Sequence, residues 1–92
     1  IAPHVKIGNF NLINYAVSIG HHCQLGDFIT LNGGAHIADS STLDDQVFIG
    51  PGAVIIDGVK IGKASKIGAN AVVRKDVPEG VTAVGIPARV IT

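Results

Sequence analysis

Apolar and polar positions recur along this chain with a period of six. Every sixth residue from Ile1 through Ile7, Ile13, Ile19, Leu25 and so on to Val73 is Ile, Leu or Val. The next position is usually Gly, Asn or Asp, as at Gly8, Asn14, Gly20, Gly26, Asn32, Asp44, Gly50, Gly62 and Gly68. The fifth position of each hexad is small or β-branched almost throughout, from Val5 and Val17 to Ala71 and Val77. Six residues match neither the 3.6-residue turn of a helix nor the simple alternation of a strand. They match a ribbon that takes one short strand and one corner per hexad, so the pattern predicts an all-β chain coiled into a parallel β-helix.

Two apolar positions four residues apart both point inward if a turn separates them. The Gly, Asn or Asp after each aliphatic residue is expected to supply the left-handed backbone of that corner. Three hexads then close one triangular coil of eighteen residues, and residues eighteen apart stack at roughly 4.8 Å, the spacing of paired strands. Neighbouring coils stabilise one another, as in other solenoids. An antiparallel sandwich would show longer strands and irregular turn spacing, which this register does not. The hexads span residues 1–78, ending at the Val77–Pro78 step because proline cannot donate to a strand ladder. Residues 79–92 are expected to form a loop and a short extended tail.

Composition narrows the function classes. Seven basic and seven acidic residues give zero net charge with His neutral, which argues against nucleic acid or an anionic membrane as partner. No apolar run approaches a membrane span and no signal peptide is visible, so a cytoplasmic protein is expected. The single cysteine, Cys23, falls on an inward fifth position and reads as a small core residue. The chain has no Met and opens on a repeat boundary, so an N-terminal portion, missing here, is expected to precede it. Four histidines remain. His4 and His22 are eighteen apart and stack on one corner, His21 adjoins them, and His36 lies on a different face.

The hexads IGNFNL, IGHHCQ, LGDFIT and IGPGAV, followed by VGIPARVI, resemble those of the left-handed β-helix acyltransferases. Within that group, SIGHHCQLGD is similar to the active-site segment of bacterial sugar acetyltransferases, of the sialic-acid O-acetyltransferase and UDP-amino-sugar N-acetyltransferase types. The left hand is implied by the resemblance alone, since parallel crossovers are otherwise nearly always right-handed. The resemblance also implies a homotrimer with acetyl-CoA in grooves between neighbouring prisms, no metal, and an N-terminal nucleotide-sugar-binding domain in the missing portion. It makes His21 the general base that takes a proton from an acceptor amine or hydroxyl. Asn14 matches a position near the acceptor. His22 stands where the family commonly has an orienting acid and is assigned to the acceptor too. For CoA, the resemblance points to backbone groups near Thr30, Asp39, Gly50 and Ala69, with Lys75 and Arg89 for the phosphates.

Asp39 has a reading of its own. It lies eighteen residues after His21, one coil along in the same column, where its carboxylate could hold one ring nitrogen and leave the other free. It could equally be a plain turn residue. Its N–H could lie where an oxyanion forms. Phe10 and Phe28 share a column and suggest an aromatic stack at a subunit or domain contact. The expected activity is acetyl transfer from acetyl-CoA to an amine or hydroxyl of a sugar, either nucleotide-linked or sialic-acid-like. Two rivals stand beside it. One is a non-catalytic trimeric scaffold; the other is a zinc hydratase like the carbonic anhydrases of the same fold, which needs a later His pair about five residues apart that this chain lacks.

Overall fold

The computed structural model describes residues 1–92 and contains fourteen short strands and no helix. Each of the first twelve strands is the end of one hexad and the start of the next, an outward residue followed by an inward aliphatic one. β1 (Lys6–Ile7), β2 (Leu12–Ile13) and β3 (Ser18–Ile19) make the first full coil, one strand on each side of a triangle. The chain is a left-handed parallel β-helix with three parallel sheets.

The A sheet stacks β1, β4 (Gln24–Leu25), β7 (Thr42–Leu43) and β10 (Lys60–Ile61). The B sheet stacks β2, β5 (Thr30–Leu31), β8 (Phe48–Ile49) and β11 (Lys66–Ile67), and the C sheet stacks β3, β6 (His36–Ile37), β9 (Val54–Ile55) and β12 (Val72–Val73). The register is the predicted eighteen residues, as in Ile7↔Leu25, Ile13↔Leu31 and Ile19↔Ile37. Regular hexads end near Val77, but the pairing carries further at a spacing of sixteen. Ile61 bridges Val77, and β13 (Thr82–Val84) adds a parallel rung on β11 with Ala83 in the core. β14 (Arg89–Val90) then folds back antiparallel on β13.

The core is the column of first- and fifth-position side chains together with Ala83, nineteen buried apolar residues that include Ile29, Leu31, Ile49, Ile55 and Ile67. In the first coil Ile1 is 74% exposed and Ile7 38%. Polar residues at inward fifth positions are satisfied by one device. Each bonds to a carbonyl of the next coil: Asn11 Nδ2 to Gly26 O at 2.9 Å, Cys23 Sγ to Ala38 O at 3.0 Å, Ser41 Oγ to Ile56 O at 3.0 Å, and Ser65 Oγ to Pro78 O.

The corners correct one expectation. Left-handed backbone sits at the fourth position of every hexad from His4 to Asn70, not at the second. Most of these residues are not glycine; His4, Phe10, Ala16, His22, Phe28, Gln46 and Ala64 all have φ between 57° and 63°. Such a backbone costs an L-residue about 1–2 kcal/mol, and the hydrogen bonds between coils hold it there. The second-position glycines serve another purpose. A Cβ at Gly8, Gly20 or Gly26 would strike the carboxylate of Asp27, Asp39 or Asp45. Those glycines make room for a side chain reaching back from the next coil. Asn14, whose expected structural role was a left-handed corner, instead donates from Nδ2 to Asn32 Oδ1 at 3.3 Å, and Asn32 donates to Ile49 O at 2.9 Å.

Candidate functional site

The edge between the C and A sheets carries the densest chemistry. Its third-position column runs Pro3, His21, Asp39, Asp57, Lys75, and its fourth-position column begins His4, His22, Ser40. Stacking one coil on the next brings His4 and His22 face to face, with ring centroids 4.9 Å apart and planes at 11°. The His21 ring is tilted against His22, its centroid 6.5 Å away.

Asp39 holds His21 twice. Its Oδ1 accepts the His21 backbone N–H at 2.7 Å and lies 3.5 Å from His21 Nδ1. The first contact is structural, because Asp27 and Asp45 make the same bond to Asn9 and Asp27 with no histidine involved. The second belongs to this edge alone. A carboxylate on the Nδ1 side favours a proton there and leaves Nε2 as the free base. Both side chains are 57% exposed, so the ring is open to a substrate.

Beside this pair lies an open groove of about 530 Å³ lined by His4, Val5, Lys6, His22 and Gln24. Lys6 and Gln24 are outward residues of the A sheet in register with each other. Further along the edge, a cleft of about 260 Å³ gathers Arg74, Lys75 and Arg89 with Pro87 and Val90. The one acid in it, Asp76, has its Oδ1 engaged by the Lys60 N–H at 2.9 Å, so the cleft suits an anion. Lys75 and Arg89 were both singled out in the sequence. Arg74 and Lys6 were not, although their signals were there in adjacency to Lys75 and in the eighteen-residue spacing from Gln24.

The remaining sequence candidates lie elsewhere. Asn14, Gly50 and Ala69 fall on the edge between the B and C sheets, and Thr30 is an outward residue of the B sheet. Within one chain the C sheet separates these residues from His21. Their amides differ too. The N–H groups of Thr30 and Gly50 already donate to Val47 O at 3.0 Å and Ile67 O at 2.8 Å. Those of Asp39 and Ala69 have no acceptor. Any contact from Thr30 and Gly50 therefore falls to the hydroxyl and the carbonyl.

Cys23 is buried below the His edge, and its thiol is pushed up, first by desolvation. It is a core residue. His36 stands on the C sheet, away from the other three histidines. No three His, Cys, Asp or Glu side chains come together in a group that could hold a metal ion. No helix is long and apolar enough to cross a membrane.

Residues 40–75 match the family described as bacterial transferase hexapeptide (six repeats). Solved structures, acetyltransferases among them, are similar to the chain over nearly its whole length. WeeI from Acinetobacter baumannii is 37% identical over 99% of this chain and 48% of its own, with a TM-score of 0.92. Serine acetyltransferase from Neisseria gonorrhoeae is 30% identical over 98% of this chain and 38% of its own, at 0.94. The acetyltransferase domain of PglB from Neisseria gonorrhoeae, solved in complex with acetyl coenzyme A, is 26% identical over 96% of this chain and 46% of its own, at 0.85. The chain thus spans about half the length of the first of these and less of the others. No curated protein sequence matches it.

Proposed function

We propose that this chain is the catalytic β-helix of an acetyltransferase that moves the acetyl group of acetyl-CoA to an amine or hydroxyl of a sugar, nucleotide-linked or sialic-acid-like. The observation that carries the reading is His21, exposed on one edge with the Asp39 carboxylate at its Nδ1. Likeness to acetyltransferases across the chain, one of them solved with acetyl-CoA, supports the donor.

In this reading His21 Nε2 accepts the proton of the acceptor group as its nitrogen or oxygen attacks the thioester carbonyl carbon. The free Asp39 N–H donates to the oxyanion of the tetrahedral intermediate. The intermediate collapses, the C–S bond breaks, and the departing thiolate takes the proton from His21, giving free CoA and the acetylated acceptor. The CoA phosphates lie in the cleft with Lys75 and Arg89. That cleft is on the same edge, about three coils or 14 Å from His21 by strand spacing, so an extended donor runs along the prism. The groove at His22 and Lys6 receives the acceptor. Asn14, Gly50 and Ala69 act from a neighbouring subunit of a homotrimer, with Thr30 beside them, since one chain alone keeps them away from His21. The protein works in the cytoplasm without a metal.

The test is release of free CoA thiol by the full-length protein, offered acetyl-CoA with amino sugars, UDP-sugars, sialic acids and serine. Thiol release stimulated by a sugar supports the reading. Release with serine alone replaces the sugar with an amino acid. Failure to bind CoA removes the enzyme and leaves a scaffold.

A further inference from the structure

Four places in the chain set an aspartate nineteen residues after a small second-position residue: Gly8 and Asp27, Gly20 and Asp39, Gly26 and Asp45, Ala38 and Asp57. At the three glycines the outcome is the same. The aspartate reaches back over the glycine and its Oδ1 caps the next N–H, that of Asn9 at 2.7 Å, His21 at 2.7 Å and Asp27 at 2.8 Å. A Cβ on any of those glycines would occupy the place of the carboxylate oxygen. At the fourth place the residue is alanine, and there the pattern breaks. The Asp57 carboxylate accepts no hydrogen bond and forms no ion pair, and the Asp39 N–H has no acceptor.

The broken cap falls one coil from His21, on the rung whose carboxylate holds the imidazole. Glycine is well tolerated at second positions elsewhere in this fold, and capping a backbone N–H with a carboxylate is favourable. The alanine therefore gives up a local hydrogen bond at the place where a free amide has a use.

We propose that Ala38 is a positioning residue: its methyl group holds the Asp57 carboxylate away from the Asp39 N–H, which keeps that amide open beside the base. Two consequences follow from the one methyl. The amide remains able to donate to an oxyanion, and no carboxylate stands where negative charge develops. The proposal rests on the reading that the Asp39 N–H serves the tetrahedral intermediate.

The experiment compares Ala38→Gly, Asp57→Ala and the double variant in the full-length enzyme, each by kcat, by KM for acetyl-CoA, and by hydrogen exchange of the Asp39 amide in NMR spectra. Ala38→Gly is expected to slow exchange of that amide, to move its proton resonance downfield, and to lower kcat about a hundredfold, the worth of one oxyanion donor. Asp57→Ala alone leaves kcat unchanged, and adding it to Ala38→Gly restores both exchange and turnover. An Asp39 amide that exchanges in Ala38→Gly as it does in the parent overturns the proposal. So does a loss of turnover that Asp57→Ala fails to rescue, which would be corner loosening instead. An amide that becomes protected while kcat holds overturns the catalytic use of the Asp39 N–H, and separates that failure from the steric one.

Discussion

Asp39 combines two tasks that substitution can pull apart. As a cap it needs only an oxygen facing the His21 N–H, and an amide oxygen serves; as a partner of the imidazole it needs its charge. Asp39→Asn is therefore expected to keep stability within about 1 kcal/mol of the parent, the scale of one hydrogen bond, while lowering turnover. Asp39→Ala should lose both, and thermal melts beside steady-state rates will show the split. His21→Ala should lower kcat by roughly 10²–10⁴-fold, the usual worth of a positioned general base, with little change in KM for acetyl-CoA. His22→Ala should cost less, since His22 stacks on His4 and lines the groove without touching the carboxylate. A crippled His22→Ala beside an active His21→Ala would move the base to the other member of the pair. Cys23, buried and with its thiol pushed up by desolvation, should resist alkylation at pH 8 in the folded protein and react readily in denaturant, because the thiolate is the nucleophile.

At the scale of strands and corners, the two small positions of a hexad respond in opposite ways to the same exchange. Ala64→Gly at φ 61° relieves a left-handed alanine and is expected to raise stability by up to about 1 kcal/mol. Gly26→Ala drives a methyl into Asp45 and strips the cap from the Asp27 N–H, so it should lower stability, and urea melts of the two variants test the contrast. On the strands, Ile49→Asp buries an unpaired carboxylate at a site with no exposure and should cost several kcal/mol. Gln46→Asp, at an exposed fourth position with φ 63°, should be nearly silent. The hexad, the eighteen-residue register and the stacking of His4 on His22 were legible because one periodicity, counted along the chain, sets all three. Corner geometry was misplaced by two positions for a physical reason. Glycine's freedom from a Cβ can mean positive φ or close approach, and the residues alone did not say which. His21 with Asp39 at its ring followed from the register. The free Asp39 amide and the engaged amides of Thr30 and Gly50 did not, because they depend on which neighbour in the next coil fills each hydrogen bond.

At the scale of the whole molecule, the outward faces of the sheets differ in polarity. Outward residues of the A sheet are Lys6, Gln24, Thr42 and Lys60, a hydrated surface, while those of the C sheet are Ser18, His36, Val54 and Val72, with both valines only partly exposed. The candidate residues flank the C sheet on its two edges, His21 and Asp39 on one side and Asn14, Gly50 and Ala69 on the other. Three prisms standing with their C sheets toward a common axis would set the His edge of each against the opposite edge of its neighbour, completing three equivalent sites. In that arrangement the Phe10–Phe28 stack, with centroids 5.3 Å apart on the far edge, faces outward and is left for a contact other than the subunit one. Light scattering of the full-length protein is expected to give three times the chain mass at micromolar concentration. Val54→Glu, which would place three carboxylates around the axis, should yield monomers with little activity, since like charges brought together out of water repel strongly. Thr42→Glu on the A sheet should leave both mass and activity as they were. A trimer dissolved by Thr42→Glu and untouched by Val54→Glu would turn the prism around and put a different pair of edges at the site.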